Sequence, residues 1–317
     1  MKGFAQDYGH VFNKRGVFMK PDKPAQGSAD GALARTVRWG FYPAALAVTV
    51  SYIVAEATGW FGRIGSAYPW YLAVLILTML ALEQLIPMRR DWGMTRRLFF
   101  VRDLPMLVVN GTAIVLATRV VTAFSGAVTI PSWALTEWPW PLQALVALAL
   151  ADLAWYGIHR HCHEGTGWLG RWMWLTHAHH HFPEQVYVFM HAAGHPIQAA
   201  YVRMLLLLPA ISFGLSPEAA FAAAVFNGFQ GLVSHFNVDV RAGWFNRLFV
   251  GTELHRFHHS ADVLEGKNYA AVFSVWDQLF GTYRLPGIAP VALGVKDRQT
   301  YPADSAWCRL LSLPFRR

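Results

Sequence analysis

The 317-residue chain is 54 % hydrophobic and only 15 % charged, with a mean hydropathy of +0.27. A soluble globular domain carries about 25 % charged residues, so this composition excludes a disordered, collagen-like or ordinary soluble protein. The 14 Trp, 21 Phe and 11 Tyr add the aromatic excess expected of helices that cross a bilayer interface. The net charge of +8 does not indicate nucleic acid. Its lysines and arginines gather in flanks of the apolar runs, where they set topology and meet anionic head groups. Two cysteines, Cys162 and Cys308, are too few for a disulfide framework.

In chain order, residues 1–38 are polar and rich in Gly, Pro and charge, and a flexible cytoplasmic N-terminal tail is expected rather than a signal peptide. Apolar runs follow at about 41–59, 70–87, 104–124 and 141–158, each near the roughly 20 residues that carry a helix across about 30 Å of hydrocarbon. The turn at 61–69 holds one arginine, Arg63, and the connection 125–140 has no Lys or Arg. Between the second and third runs lie Arg89, Arg90, Arg96, Arg97 and Arg102. The positive-inside rule therefore puts the N-terminus in the cytoplasm and returns the chain there just before His159. Two further apolar runs, 196–215 and 218–233, are interrupted by Arg203, Asn227 and Gln230. They are expected either as a third hairpin dipping from the cytoplasmic side or as buried cytoplasmic helices. The expected fold is an all-α integral membrane protein with four to six transmembrane or membrane-dipping helices. One membrane domain covers 39–285, and a cytoplasmic C-terminal extension covers 286–317. The polar tail and compact size favour a bacterial inner membrane over the endoplasmic reticulum.

Thirteen of the 14 histidines fall between His159 and His259. They form the sets His159-Arg160-His161-Cys162-His163, His177-Ala178-His179-His180-His181 and His255-Arg256-Phe257-His258-His259. On a helix, positions i, i+3 and i+4 share a face, so each set aims two or three imidazoles at one point. Adjacent histidines differ by about 100° around the axis, which lets His180 and His181, and likewise His258 and His259, serve two different metals. His161 and His179 fall off this spacing. Zinc is satisfied by four ligands and calcium or magnesium want oxygen. Imidazole also suits iron, copper and nickel, and eight or more nitrogens divide into two open-sited metals, as oxygen activation requires. Asp152, Tyr156, His159 and His163 lie on one helix face, and Asp152 is expected to accept the second N–H of a ligand histidine.

The set Asp152, Trp155, Tyr156, His159, Arg160 and His163, the two H-x-x-H-H boxes, and the closing run Lys267-Asn268-Tyr269-Ala270 to Trp276-Asp277-Gln278-Leu279-Phe280-Gly281-Thr282-Tyr283 resemble the fatty acid hydroxylase / sterol desaturase superfamily. The resemblance spans about residues 100–285 and implies a non-haem di-iron oxygenase with a cytoplasmic histidine cap. It implies metal ligation by His159, His163, His177, His180, His181, His255, His258 and His259. His235, in Ser234-His235-Phe236-Asn237, matches the histidine that precedes the last box. His195, Asn237, Asp239 and Asn268 are expected behind the ligands, with Asp239 standing where some members carry a tenth histidine. Asp152 and Tyr156 are expected to support the catalytic centre.

The resemblance further implies two iron ions, dioxygen as co-substrate, and a lipid substrate entering from the bilayer. No His-Pro-Gly-Gly haem motif is present, so electrons are expected from a separate ferredoxin- or cytochrome-b5-type protein, with the arginines at 89–102 as one docking surface. Hydroxylation is favoured over desaturation. A histidine-rich metal transporter would need its ligands near the bilayer midplane, whereas these sit at and beyond helix ends, and intact boxes argue against a scaffold.

Overall fold

A computed structural model describes residues 31–131, 134–262, 266–287 and 289–316, and the first thirty residues of the expected tail lie outside it. Helix α1 spans Ala32–Ala57, α2 Tyr68–Leu85, α3 Leu104–Ala123 and α4 Trp140–Glu164. All four are long and apolar enough to cross a membrane, α3 together with the short helical turns that lead into it from Arg90. No strand occurs among the described residues, only two isolated bridges.

Two boundaries differ from the sequence expectation. Helix α1 starts at Ala32, so residues 32–38 are helix rather than tail. No Pro or Gly breaks the run from Ala32 to Arg38, and Arg38 is anchored by an ion pair to Asp239 at 3.0 Å. Before α3 the helix widens into a π turn, Phe99–Asp103. That turn rotates Arg102 inward to 1 % exposure, against the carboxylate of Asp103 and the hydroxyl of Tyr187. Arg102 is thus a buried structural cation, not part of a docking surface. Arg90, Arg96 and Arg97 remain exposed.

After α4 come α5 (Gly167–His181), α6 (Pro196–Ser212), α7 (Pro217–Ser234) and the short α8 (Thr252–His258). The α6–α7 pair is not a cap of helices lying over one end of the bundle. Its turn is hydrogen-bonded to the α3–α4 connection, from Ile130 N to Ser212 O (3.0 Å) and Leu135 N to Phe213 O (2.9 Å). Ser216 N also donates to Gln143 Oε1 at the start of α4 (2.9 Å). The hairpin therefore runs the full depth of the bundle, from the histidines to the opposite end. Buried acids inside the spans staple loops at each end, which satisfies polar groups that lipid cannot. Glu83 accepts Val188 N and Asn237 N (3.0 and 2.9 Å), and Glu56 accepts Gly65 N and Ala67 N (2.8 and 3.1 Å).

The C-terminal extension is packed onto the histidine end. Ala261 N donates to Ala292 O and Gly294 N to His259 O. Trp174 Nε1 donates to Tyr301 Oη at 3.1 Å, and Leu310 is buried with Ala178 and Phe182.

Candidate metal centre

Helix periodicity places His159 and His163 one turn apart on α4, and His177 and His181 one turn apart on α5. Helix α8 supplies His255 and His258, with His259 at its C-cap, and His235 caps α7. These nine imidazoles form two groups. His159, His163, His177, His181 and His258 make one; His180, His235, His255 and His259 make the other, each with its ligand atoms within 4.8 Å of one another. Neighbouring residues are divided between the groups, 180 from 181 and 258 from 259, as their angular offset requires.

The second ring nitrogen decides which atom faces inward. His159 Nδ1 donates to Tyr269 O (2.6 Å), His180 Nδ1 to Ala193 O (2.8 Å), His235 Nδ1 to Gly231 O (2.8 Å) and His258 Nδ1 to Lys267 O (3.0 Å). His177 Nδ1 donates to Gln198 Oε1 (3.2 Å). Each of these rings therefore turns a bare Nε2 lone pair inward. His159 Nε2 stands 2.8 Å from His177 Nε2, and His180 Nε2 3.1 Å from His235 Nε2. Two lone pairs at that separation repel unless a cation lies against both. His163 Nε2 is buried without a protein partner, a further donor aimed into its group. Neutral nitrogens with their outer N–H groups fixed by carbonyls are what a bound transition metal demands; the donor set fits one ion per group.

Electrostatics agree. Burial, reinforced by neighbouring imidazoles, pushes His177, His181, His235, His255 and His259 well below the ordinary histidine value. Burial takes His258 down to about 3 and His180 to about 4, each opposed by its carbonyl partner. The rings are neutral at pH 7.

The expected supporting residues are placed differently. Among the described residues Asp152 makes no hydrogen bond to a histidine. Its carboxylate accepts the backbone N–H groups of Ala271, Val272 and Phe273 (3.0, 3.1 and 2.7 Å), holding the loop whose Tyr269 carbonyl orients His159. Tyr156 faces away, its hydroxyl 2.9 Å from Thr282 Oγ1 among Val250, Leu254 and Tyr269. Asp239 pairs with Arg38 and Arg241 and does not supply the missing tenth ligand. Asn237 exchanges hydrogen bonds with Arg89 N and O. His195 caps α6 and donates Nε2–H to Leu311 O at 3.1 Å. Asn268, at φ 65°, binds Leu254 O and Arg284 O and N, which turns the flanking carbonyls of Lys267 and Tyr269 toward His258 and His159.

Sequence spacing missed three contributors. Gln198 carries no motif, yet it fixes His177. Trp174 packs 5.2 Å from the His163 ring. His191 lies 5.2 Å from the His235 ring, in a space that exists because residue 231 is glycine; a Cβ there would sit 2.4 Å from His191 Cε1. The 231–235 spacing on α7 is its only sequence signal.

Residues 144–282 match the family model described as fatty acid hydroxylase, and all nine clustered histidines fall inside that stretch. This part of the chain is similar to fatty acid hydroxylase domains. An ornithine lipid hydroxylase of Rhizobium tropici is 28 % identical over 230 residues, 68 % of each chain. Alkylglycerol monooxygenases of Caenorhabditis elegans and Homo sapiens are 26 % and 27 % identical over 168 and 147 residues. Those stretches cover 52 % and 46 % of this chain but only 32 % of either relative. No solved structure matches.

Proposed function

We propose that the protein is a membrane-embedded di-iron monooxygenase that hydroxylates an unactivated C–H bond of a lipid. The observation that carries this reading is the pair of imidazole groups whose bare lone pairs face one another. Imidazole suits iron, and adjacent histidines shared between the groups hold two ions side by side. The match to a hydroxylase family and the activities for which the relatives are named favour lipid hydroxylation.

Two bound irons supply activation of dioxygen for insertion into a C–H bond. The chain's own residues do the rest. The carbonyls of Ala193, Gly231, Lys267 and Tyr269 hold the outer N–H protons at Nδ1, so that Nε2 stays bare. Gln198 does the same for His177. The buried cap excludes water from the reacting centre. Electrons come from a separate ferredoxin- or cytochrome-b5-type protein, docking on the exposed Arg90, Arg96 and Arg97. Positive-inside topology puts the N-terminus and the cap in the cytoplasm, in a bacterial inner membrane.

The test is the iron content of detergent-purified protein together with lipid mass spectrometry of cells with and without the gene. About two irons per chain and a lipid heavier by one oxygen are the expected result. Loss of two hydrogens would make the enzyme a desaturase, and absence of both metal and lipid change would overturn the reading.

A further inference from the structure

Helices α6 and α7 are joined by a four-residue turn, 213–216, yet part from each other. Helix α6 packs on α3 and α4, while α7 packs on α1 and α4. No residue of α6 is fully buried. The face of α7 that leads to His235 carries Ala224, Gly228 and Gly231, spaced as one stripe along the helix, and each remains partly accessible. A Cβ on Gly228 would lie 3.7 Å from the hydroxyl of Tyr68, and Gly231 abuts His191. The two helices thus diverge on the side of α7 where the Tyr68 hydroxyl and the His191 ring stand, below the second imidazole group.

One cation lies near the same Tyr68. Arg203 on α6 donates Nε–H to Thr118 Oγ1 on α3 at 2.9 Å, its only side-chain hydrogen bond among the described residues. The only ionisable side chain acting on it among those residues is Tyr68, and no carboxylate does. Its depth is fixed twice. Thr118 lies eight residues beyond Asn110, which binds the carbonyls of Ala192 and Gly194 beside the site, or about 12 Å along the helix. Gly228 lies seven residues before His235, about 10 Å along α7. A charge in the apolar belt without an anionic partner is costly and marks a functional site.

We propose that the space between the diverging helices is the substrate site and that Arg203 takes the carboxylate of an amphiphile, about 10 Å from the carbon presented to the metal centre. With Nε held by Thr118, the edge formed by the two terminal nitrogens is open, and its paired donors match the two oxygens of a carboxylate. A carboxylate ends a chain, as a head group held within the bundle must, whereas a phosphodiester extends on both sides. The orientation of the chain rests on the hydroxylase reading above. Binding does not, and can be measured without turnover.

The experiment uses the detergent-purified full chain, cis-parinaric acid and its methyl ester, read by fluorescence, with metal content measured in parallel. The acid is expected to bind wild type at least about tenfold more tightly than the ester. Arg203→Met removes that preference while ester affinity and metal content stay; Arg203→Lys, which keeps the charge but not the fork, retains part of it. Competition by palmitic acid against N-palmitoylglycine then separates a free chain terminus from an amino-acid head group, and either one supports a carboxylate. Equal affinity of wild type for acid and ester overturns the proposal without any variant. So does an acid preference that survives in Arg203→Met, or stronger competition by lysophosphatidic acid than by both carboxylates. Acid preference in a protein that binds no metal would instead overturn the di-iron reading and leave this one standing.

Discussion

Asp152 and His159 stand two turns apart on α4 and are coupled through a distant loop rather than to each other. The Asp152 carboxylate gathers three backbone N–H groups of 271–273, and the same loop returns the Tyr269 carbonyl to His159 Nδ1. Asp277 supports the loop from its other side, accepting Tyr269 N and Ala270 N at 2.7 and 3.0 Å. One carboxylate thus sets a ligand ring at second hand.

Asp152→Asn is expected to lower stability by about 1–3 kcal/mol, because an amide nitrogen faces backbone donors where a carboxylate oxygen accepted them. It should also weaken metal retention at the group containing His159 before the other. Thermal midpoints and stepwise metal release to a chelator check both effects.

His180→Ala and His181→Ala remove ligands from different groups although the residues are adjacent. Each is expected to abolish turnover and to lower bound metal from about two ions to about one per chain. His161→Ala, outside both groups, should keep both ions. Elemental analysis of the purified variants reads the result.

Stability of the metal-free protein is expected to fall as pH drops below about 6.5, the ordinary histidine value. Burial holds His258 at about 3 and His180 and His191 at about 4 in the native state. The unfolded chain therefore takes up protons that the native one refuses, so stability is present above about 6.5 and is lost progressively toward 4 to 3. A series of melting curves from pH 8 to 5 should show the midpoint falling with acidity.

Gly294 ties the C-terminal extension to both groups. Its N–H donates to His259 O at 3.0 Å, its φ is +108°, and a Cβ there would lie 3.5 Å from Pro183 O and 3.7 Å from His181 O. Gly294→Ala is expected to destabilise by about 1–3 kcal/mol through backbone strain and to hasten metal loss from both groups. Gly287→Ala, with φ +79° and open space around it, carries strain alone and should leave metal retention unchanged. Chelator-driven release rates separate the two.

Charge reversal at the exposed Arg90, Arg96 and Arg97 should raise KM for an acidic electron donor about tenfold at low salt, with metal content unaffected. The same change at Arg102 would instead unfold the cap, since that side chain is buried against Asp103 and Tyr187.

Much of the site was legible because helical periodicity is a local property. The i, i+3 and i+4 spacing of three histidine sets names eight ligand candidates and separates His180 from His181. Composition and arginine placement name the four long spans. The supporting residues were illegible for the opposite reason. The carbonyl that orients His159 is 110 residues away in sequence, and the hydrogen bond from His195 runs to Leu311, 116 residues on. Asp152 sits on the face that spacing indicates, but its partner was settled by where the 267–273 loop closes.

Sequence by itself thus determined the class of fold, the donor residues and their division between two points, since these follow from hydropathy and the angle between successive residues on a helix. Only tertiary structure decided the depth of the α6–α7 hairpin, the clamp formed by the C-terminal extension, and the setting of Arg203 against Thr118. Each of these depends on which segments meet across the bundle, and no pattern within a single helix encodes that.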